Sequence, residues 1–302
     1  MRVLVTGATG LIGSAVCDAL LARGEEVVGL SRDPAKARTT NPTVSWHAWD
    51  PANERPPEAA FEGVDAVVNL IGEEINQRLT DEAKRRIRDS RVRATKNLVD
   101  GMLAANPQPA TLISQAAIGI YGDRGEAIVD ESTPPGDGFL PQIVVEWENE
   151  ARRAAGPGVR VVIFRTGLVL DPDGGLLKQL GLPFKLGLGG PLAGGGFYMP
   201  WIHRDDEVGL ILWALDTPQV SGTLNATAPN PVTNRELSQA LGRALHRPSL
   251  IPAPRLAIVA MRGEELTEQI TGSYRVIPRR AQDLGYAFRF TDVDAALADL
   301  YR

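Results

Sequence analysis

Residues 6–13 read Thr-Gly-Ala-Thr-Gly-Leu-Ile-Gly and stand between two apolar segments. The preceding residues 3–6 have the continuous apolar character of a strand buried on both faces, and residues 11–23 have the spacing of a helix that ends before Gly24. Glycines at this spacing permit a tight turn and let the backbone approach a pyrophosphate group, to which the helix N-terminus presents free N–H groups. We therefore predict a strand–loop–helix unit that binds a dinucleotide; a glycine turn with a purely structural role is the alternative.

The alternation of buried strand and helix continues beyond this unit. Residues 27–30, 65–70, 111–114 and 159–164 have the apolar character of buried strands, and residues 81–105 and 141–155 predict helices. Strands without polar alternation that are separated by helices are typical of a parallel sheet covered on both faces. We therefore expect an α/β fold with a Rossmann-type doubly wound parallel sheet, whose ligand crevice lies at the carboxyl ends of the strands.

The character of the sequence changes after Gly174. Residues 187–196 are dense in glycine and predict a loop, and residues 205–215 predict a helix ahead of a proline-rich tail. We divide the chain accordingly into a dinucleotide-binding domain over residues 1–170 and a smaller substrate lobe over residues 171–302, from which the chain can cross back to the sheet.

Composition and charge exclude several classes of function. The net charge of −5 and the pI near 5.4 do not favour nucleic acid as a partner. Cys17 is the single cysteine and cannot form an intramolecular disulfide, which favours a reducing compartment. The chain opens on a predicted strand and has no apolar run of about 20 residues, so we expect a cytoplasmic protein without a signal peptide or membrane helix. No metal site is expected, because the paired carboxylates lack suitably spaced partners.

Ser31 and Arg32 follow the second predicted strand. Folds specific for NAD usually place an acidic residue here to bind the ribose 2′-hydroxyl, whereas arginine suits the 2′-phosphate of NADP. Ser31 does not repel a phosphate and Arg32 can pair with one. We therefore predict NADP as the cofactor, with Lys36 and Arg38 as further candidates; an exposed loop arginine without a ligand is the alternative.

Motifs along almost the whole chain carry a specific resemblance. The opening glycine pattern resembles that of the extended short-chain dehydrogenases/reductases, which include nucleotide-sugar epimerases and dehydratases. Within them, the chain is similar to an atypical branch of the NAD-dependent epimerase/dehydratase family, the nucleoside-diphosphate-sugar epimerases of the SulA-like, cell-division-inhibitor type. The motifs of this narrower resemblance are Asn69-Leu70-Ile71-Gly72-Glu73, Tyr121-Gly122-Asp123-Arg124-Gly125, Trp147-Glu148, Arg165-Thr166-Gly167, Gly187-Leu188-Gly189-Gly190-Pro191, Trp201-Ile202-His203 and Leu245-His246-Arg247-Pro248.

The resemblance implies a set of cofactor contacts. The pyrophosphate would lie on the glycine loop, the 2′-phosphate on Arg32, and the adenosine ribose beside the residues after the fourth strand. Ser114 and Ala116 would lie beside the nicotinamide. The implied cofactor-binding residues are Gly7, Thr9, Gly10, Leu11, Ile12, Arg32, Leu70, Ile71, Gly72, Arg165, Thr166 and Gly167. Many such relatives pair through two helices, so a homodimer is expected.

The usual catalytic pair of the superfamily is absent. Its members carry Tyr-x-x-x-Lys on the helix after the fifth strand, where the tyrosine exchanges a proton with the substrate and the lysine lowers the tyrosine pKa from about 10. No such motif occurs in this chain, and alignment on Glu148 places Leu140 and Val144 at the two positions. Neither side chain can transfer a proton.

Three residues remain as candidates for catalysis. Tyr121 lies before Gly122 at a predicted strand end, Ser114 ends the fifth strand, and His203 follows Trp201. Tyr121 is the first candidate for proton transfer, with a packing role as its alternative. His203 could orient or protonate a ligand, or it could cap the following helix.

The glycine-dense residues 187–196 are followed closely by Tyr198, Trp201 and His203. Such a concentration of glycine costs folding entropy, so it favours close backbone approach or mobility. We expect the segment to cover the nicotinamide end and contact the second ligand. The alternative is a loop that joins the lobes, with its aromatic residues in the core.

We therefore expect an NADP-dependent oxidoreductase or epimerase-like enzyme that acts on a small polar substrate, such as a nucleotide sugar. The alternative is a catalytically silent module that senses NADP(H) and engages a protein partner. Because this fold hosts many functions, the fold alone does not decide between them.

Overall fold

The computed structural model describes residues 1–302. Its strands are β1 (Arg2–Thr6), β2 (Glu26–Ser31), β3 (Ser45–Ala48), β4 (Ala66–Asn69), β5 (Thr111–Ala117), β6 (Ile128–Val129), β7 (Arg160–Thr166), β8 (Leu168–Leu170), β9 (Tyr198–Met199), β10 (Trp201–His203), β11 (Gly222–Ala226), β12 (Val232–Thr233) and β13 (Arg275–Val276). Its helices are α1 (Leu11–Ala22), α2 (Pro34–Thr40), α3 (Asp81–Arg88), α4 (Ala94–Ala104), α5 (Phe139–Arg152), α6 (Gly175–Lys185), α7 (Arg204–Asp216), α8 (Asn234–Ala244), α9 (Arg255–Arg262), α10 (Glu264–Thr271), α11 (Arg279–Asp283) and α12 (Val293–Leu300).

Seven parallel strands form the central sheet in the order β11-β7-β5-β4-β1-β2-β3. Val3 of β1 pairs with Val27 of β2 on one side and with Ala66 of β4 on the other. The strand order therefore reverses at β1, where the crevice of a doubly wound sheet binds its ligand. The predicted Rossmann-type fold is confirmed.

The uninterrupted apolar character of the strands reflects two buried faces. Leu4 and Val67 point to one side, where they pack with apolar residues of α3, α4 and α5. Val3 and Val5 point to the other side, towards α1 and α7. Each large apolar side chain buried in this way contributes roughly 1.5–3 kcal/mol to stability.

The segment predicted as one helix over residues 81–105 is interrupted. It consists of α3 and α4 with a π-helical turn, Asp89–Arg93, between them. The apolar periodicity runs through this turn because Ile87, Val92 and Leu98 all remain in the core. A single extra residue in the turn changes which neighbouring side chains point inward, and the periodicity does not record it.

Part of the chain beyond residue 170 completes the sheet. β11 pairs in parallel with β7, and α7 packs against α1. The other elements enclose a third apolar cluster around Leu170, Trp201 and Leu237. Residues 187–196 contain no helix or strand and run beside residues 249–253 through two isolated bridges. None of the helices is both long and apolar enough to span a membrane.

Candidate functional site

A cavity of about 620 Å³ lies at the carboxyl ends of β1, β2, β3 and β4. Several predicted cofactor contacts come together in it, namely Gly7, Thr9, Gly10, Arg32, Leu70, Ile71 and Gly72. The rest of its wall is formed by Leu30, Ser31, Asp33, Lys36, Ala37, Thr40, Trp49 and Pro51. Trp49 and Pro51 were not predicted to line the cavity, because they follow β3, a short strand that the apolar pattern does not indicate.

Two glycines of the loop, Gly7 and Gly13, have no room for a side chain. Gly7 has φ of 65°, and a Cβ on it would lie 2.6 Å from the carbonyl oxygen of Leu70. A Cβ on Gly13 would lie 2.1 Å from the Gly7 oxygen. No side chain caps α1 at Gly10, and no acidic residue lies in its first turn, which contains Leu11 and Ile12. The first turn can therefore present its N–H groups and positive dipole end to a phosphate.

A buried hydrogen-bond network joins the strand ends next to this loop. The Thr6 hydroxyl donates to Asn69 Oδ1 over 2.7 Å and accepts from the Leu70 N–H over 3.1 Å. Asn69 Nδ2 donates to the hydroxyls of Thr95 over 3.0 Å and Ser114 over 3.1 Å. All four polar side chains are fully buried. Ser114, a predicted catalytic residue, thus serves the network that joins β1, β4 and β5.

The charged rim of the cavity is formed where β2 meets α2. Asp33 caps α2 by accepting from the Lys36 N–H over 3.0 Å, and its own N–H donates to Ser31 Oγ over 3.1 Å. Arg32 and Lys36 are exposed on the cavity wall, and neither forms an ion pair within the chain. Two free cations therefore face the same space, where an anionic group of a ligand can pair with both.

Tyr121 lies in the core, away from the cavity, in contrast to its predicted role. Its hydroxyl donates to Asn225 Oδ1 over 2.7 Å and accepts from an Arg165 guanidinium nitrogen over 2.9 Å. The side chain is fully buried, and burial raises the pKa of its hydroxyl. Both partners are protein groups, so the position is at odds with proton transfer to a ligand.

Arg165 is likewise used inside the protein. Its Nε donates to Glu148 Oε1 over 2.7 Å and a second nitrogen donates to Glu148 Oε2 over 3.0 Å. The prediction that this side chain contacts the cofactor is therefore wrong, because its guanidinium binds Glu148 and Tyr121. Gly167 is also a packing position, since a Cβ would lie 2.6 Å from the oxygen of Pro200.

Thr166 connects the end of β7 to a buried acid that sequence analysis missed. Its hydroxyl donates to Glu207 Oε1 over 2.8 Å and accepts from Gln115 Nε2 over 3.3 Å. Glu207 is fully buried in the first turn of α7, and its Oε2 has no hydrogen-bond partner. Burial raises the pKa of this carboxyl to about 8, against the opposing hydrogen bond from Thr166.

His203 caps α7, which was the structural alternative for this residue. Its Nδ1 accepts from the Asp205 N–H over 3.0 Å, and its ring stacks on Phe290 at 3.9 Å between centroids. The imidazole is buried, which lowers its pKa. Trp201 is also fully buried and donates to the oxygen of Asn230. Both rings face protein, which corrects the expectation that they contact a ligand at the nicotinamide end.

The start of α5 is apolar where the superfamily carries its catalytic pair. Leu140 lies in the first turn beside Gly119, and Val144 is buried in the core one turn further on. Glu148, on which these positions were aligned, lies a further turn along the same face. The geometry therefore places no proton-transferring group at either position.

Comparison with known proteins matches residues 3–226 to the NAD dependent epimerase/dehydratase family and residues 253–300 to a domain of unknown function, DUF1731. The crystal structure of the human epimerase family protein SDR39U1 with NADPH is similar, with a TM-score of 0.90 at 36% identity over 100% of this chain and 99% of that one. Epimerase family protein Mb2239 of Mycobacterium bovis is 39% identical over 98% of this chain and 96% of its own length. A UDP-glucuronic acid 4-epimerase from Bacillus cereus, at 16% identity and a TM-score of 0.80, shows the shared fold alone.

Proposed function

Because the chain belongs to the NAD-dependent epimerase/dehydratase family, we propose that it is an NADP(H)-binding extended short-chain dehydrogenase/reductase with an epimerase-like oxidoreductase activity on a small polar substrate. The observation that carries the proposal is the pair of free cations, Arg32 and Lys36, on the wall of the cavity beside the glycine loop. A 2′-phosphate is the group that distinguishes NADP(H) from NAD(H), and two cations favour it.

The residues of the cavity fit a nicotinamide dinucleotide. The glycine loop packs closely on the backbone at the end of β4 and on α1 because Gly7 and Gly13 carry no Cβ, and the first turn of α1 is uncapped. These groups hold the pyrophosphate, while Trp49 and Pro51 lie on the side where the adenine is expected. When bound, the cofactor supplies hydride chemistry, and this chain contributes binding and orientation. The similarity to human SDR39U1, whose structure contains NADPH, supports the same assignment.

The alternative of a catalytically silent NADP(H)-sensing module has an observation in its favour. Leu140 and Val144 replace the catalytic pair, and the three candidate replacements, Ser114, Tyr121 and His203, are all buried and engaged by protein groups. A cofactor pocket without an evident proton donor is consistent with binding that controls association with a partner. If the protein is an enzyme, we propose a nucleotide sugar as its substrate.

Calorimetric titration of the protein with NADPH and with NADH tests the proposed cofactor. We expect NADPH to bind at least tenfold more tightly, a difference of about 1.4 kcal/mol. Equal affinities would contradict the assignment. A panel of nucleotide sugars, screened by thermal shift and then for NADPH oxidation and for epimerised sugar by chromatography with NADP, separates the two functions: turnover in either assay supports the enzyme, and binding of NADPH without any turnover supports the sensor.

We further infer a cytoplasmic setting. The inference is supported by the single cysteine, Cys17, which is free and leaves the chain without an intramolecular disulfide, as is usual in a reducing compartment. Fractionation of cells that express a tagged protein tests this inference.

A further inference from the structure

A buried arginine lies directly behind one wall of the cofactor cavity. Arg91 is only 9% exposed, whereas its neighbours Arg88 and Arg93 are exposed. It is turned inward by the π-helical turn Asp89–Arg93. Such turns are rare, and those that occur are frequently found at functional sites. Burial of a charge is costly unless the charge is paired and hydrogen-bonded.

Residues of this turn form hydrogen bonds with both the carbonyl oxygen and the N–H of Glu73. Arg91 donates from a terminal nitrogen to the Glu73 carbonyl oxygen over 2.7 Å. The hydroxyl of Ser90 accepts from the Glu73 N–H over 3.0 Å. Arg91 is itself held by the Ile87 oxygen at 3.3 Å and lies over the ring of Trp147 at 5.5 Å. The loop after β4 therefore has a fixed support from α3 and α5.

The same guanidinium limits the space behind Gly72. A Cβ on Gly72 would lie 3.2 Å from the guanidinium carbon of Arg91. Gly72 is also part of the cavity wall, together with Leu70 and Ile71. One face of this backbone segment thus meets the ligand space while the other meets the guanidinium.

The charge of Arg91 has no carboxylate partner within ion-pair distance. The carboxylate of Glu73, which attracts the guanidinium, pairs with Arg86 at 3.1 Å and accepts from Gln77 at 2.9 Å. Burial lowers the pKa of Arg91 to about 10, against the attraction of Glu73, so the guanidinium remains charged at neutral pH. A positive charge therefore stands behind the wall without a counter-ion of its own.

We propose that Arg91 is a positioning residue for the dinucleotide: by holding the backbone of Glu73 it fixes Gly72 in the wall of the cavity, and it places a positive charge behind the segment that would flank the adenosine ribose. This inference rests on the proposed binding of NADP(H). It predicts that the adenosine half of the cofactor, which enters the cavity lined by Gly72 and Arg32, is sensitive to Arg91.

The test compares the Kd of NADPH and of adenosine 2′,5′-bisphosphate for the full chain and its variants. Arg91→Met keeps the apolar stem on Trp147 but loses the donors and the charge, and we expect both ligands to bind at least tenfold more weakly. Arg91→Lys retains the charge and one donor and should recover part of the loss. Arg93→Met, two residues away and exposed, should stay within twofold of wild type for both ligands.

Melting of the ligand-free variants separates positioning from loss of the fold. A folded Arg91→Met protein that binds both ligands within twofold of wild type overturns the inference, as does a loss for NADPH without a loss for the bisphosphate. If Arg91→Met does not fold, a cycle of Gly72→Ala and Arg91→Lys decides. The ammonium introduced by Arg91→Lys is slimmer than a guanidinium and leaves room for the Cβ introduced by Gly72→Ala. Losses of NADPH affinity in the two single variants that do not add up in the double variant support the inference, and strictly additive losses overturn it. A wild-type protein that binds neither ligand refutes the proposed function itself.

Discussion

Glu148 and Arg165 form a two-point ion pair, with oxygen–nitrogen distances of 2.7 and 3.0 Å, although α5 and β7 place them 17 residues apart in the chain. Their side chains are only 1% and 8% exposed. The pair ties α5 to the carboxyl end of β7 and occupies the guanidinium that the resemblance assigns to the cofactor. We therefore regard both residues as part of the framework of the site.

Glu148→Gln should destabilise the fold strongly. Loss of one partner leaves the Arg165 charge buried and uncompensated, which typically costs about 3–5 kcal/mol. The free energy of unfolding, measured with urea, checks this value. Glu150→Gln on the same helix is the matched control, because Glu150 pairs with the largely exposed Arg153 and its loss should cost about 1 kcal/mol or less. Similar small losses for both variants would contradict the framework role.

Tyr121→Phe should lower stability without changing cofactor affinity. The variant leaves Asn225 Oδ1 and one Arg165 donor without their hydroxyl partner, at a cost of about 1–3 kcal/mol. The Kd of NADPH should stay within twofold of wild type, because the hydroxyl is fully buried away from the cavity. A variant of unchanged stability that binds NADPH poorly would return Tyr121 to the site.

Arg32→Ala and Lys36→Ala should each reduce the preference for NADPH over NADH. Both cations face the proposed 2′-phosphate, whereas NADH has no group there for them to bind. We expect the affinity for NADPH to fall by about tenfold for Arg32→Ala, equivalent to about 1.4 kcal/mol, with little change for NADH. Arg38→Ala is the control, since Arg38 lies on α2 but not on the cavity wall. Parallel losses for both cofactors would show that the cations do not read the 2′-phosphate.

Glu207 should make stability depend on pH. Its folded-state pKa is raised from 4.5 to about 8, so folding favours the protonated form. Its stabilising contribution is therefore fully present below about pH 4.5 and is lost as the pH rises towards 8, at about 1.4 kcal/mol per unit. The neighbouring Asp206 also has a raised pKa through burial, and Tyr286, whose hydroxyl contacts Asp206, has its pKa raised by burial and by both carboxylates.

Glu207→Gln isolates this contribution, because the amide oxygen can still accept from Thr166 and cannot ionise. The difference in unfolding free energy between wild type and Glu207→Gln should change between pH 5 and pH 8 and level off above that range. Asp206 is present in both proteins, so its titration cancels in the difference. A difference that is constant across this pH range would show that Glu207 is ionised in the folded protein.

Epimerisation of UDP-glucose or UDP-galactose should be undetectable or very slow. General acid–base groups typically contribute about 10²–10⁴-fold each, and Leu140 and Val144 contribute none. Incubation with NADP and either sugar, followed by chromatographic separation of the epimers, measures the rate. Rapid turnover would show that another group transfers the proton.

The sequence by itself determined the features that depend on neighbours along the chain. The glycine loop between a strand and a helix predicts both the parallel sheet and the phosphate cradle, since Gly7 adopts a φ of 65° in the tight turn and a Cβ on Gly13 would meet the Gly7 oxygen six residues before it. The position of Arg32 directly after β2 likewise follows from strand order. The missing catalytic pair was also visible in the sequence, because Leu140, Val144 and Glu148 share one helix face.

Only the tertiary structure decided which polar side chains face the ligand. Tyr121 and His203 are polar residues near strand ends, and nothing local distinguishes a ligand contact from a buried hydrogen bond. Tyr121 is engaged by Asn225, 104 residues away, and His203 stacks on Phe290, 87 positions further along the chain. Arg91 was missed for a related reason, because its inward direction depends on one π-helical turn. Burial and long-range hydrogen bonds arise from packing between elements, so they appear only when the sheet and its helices have come together.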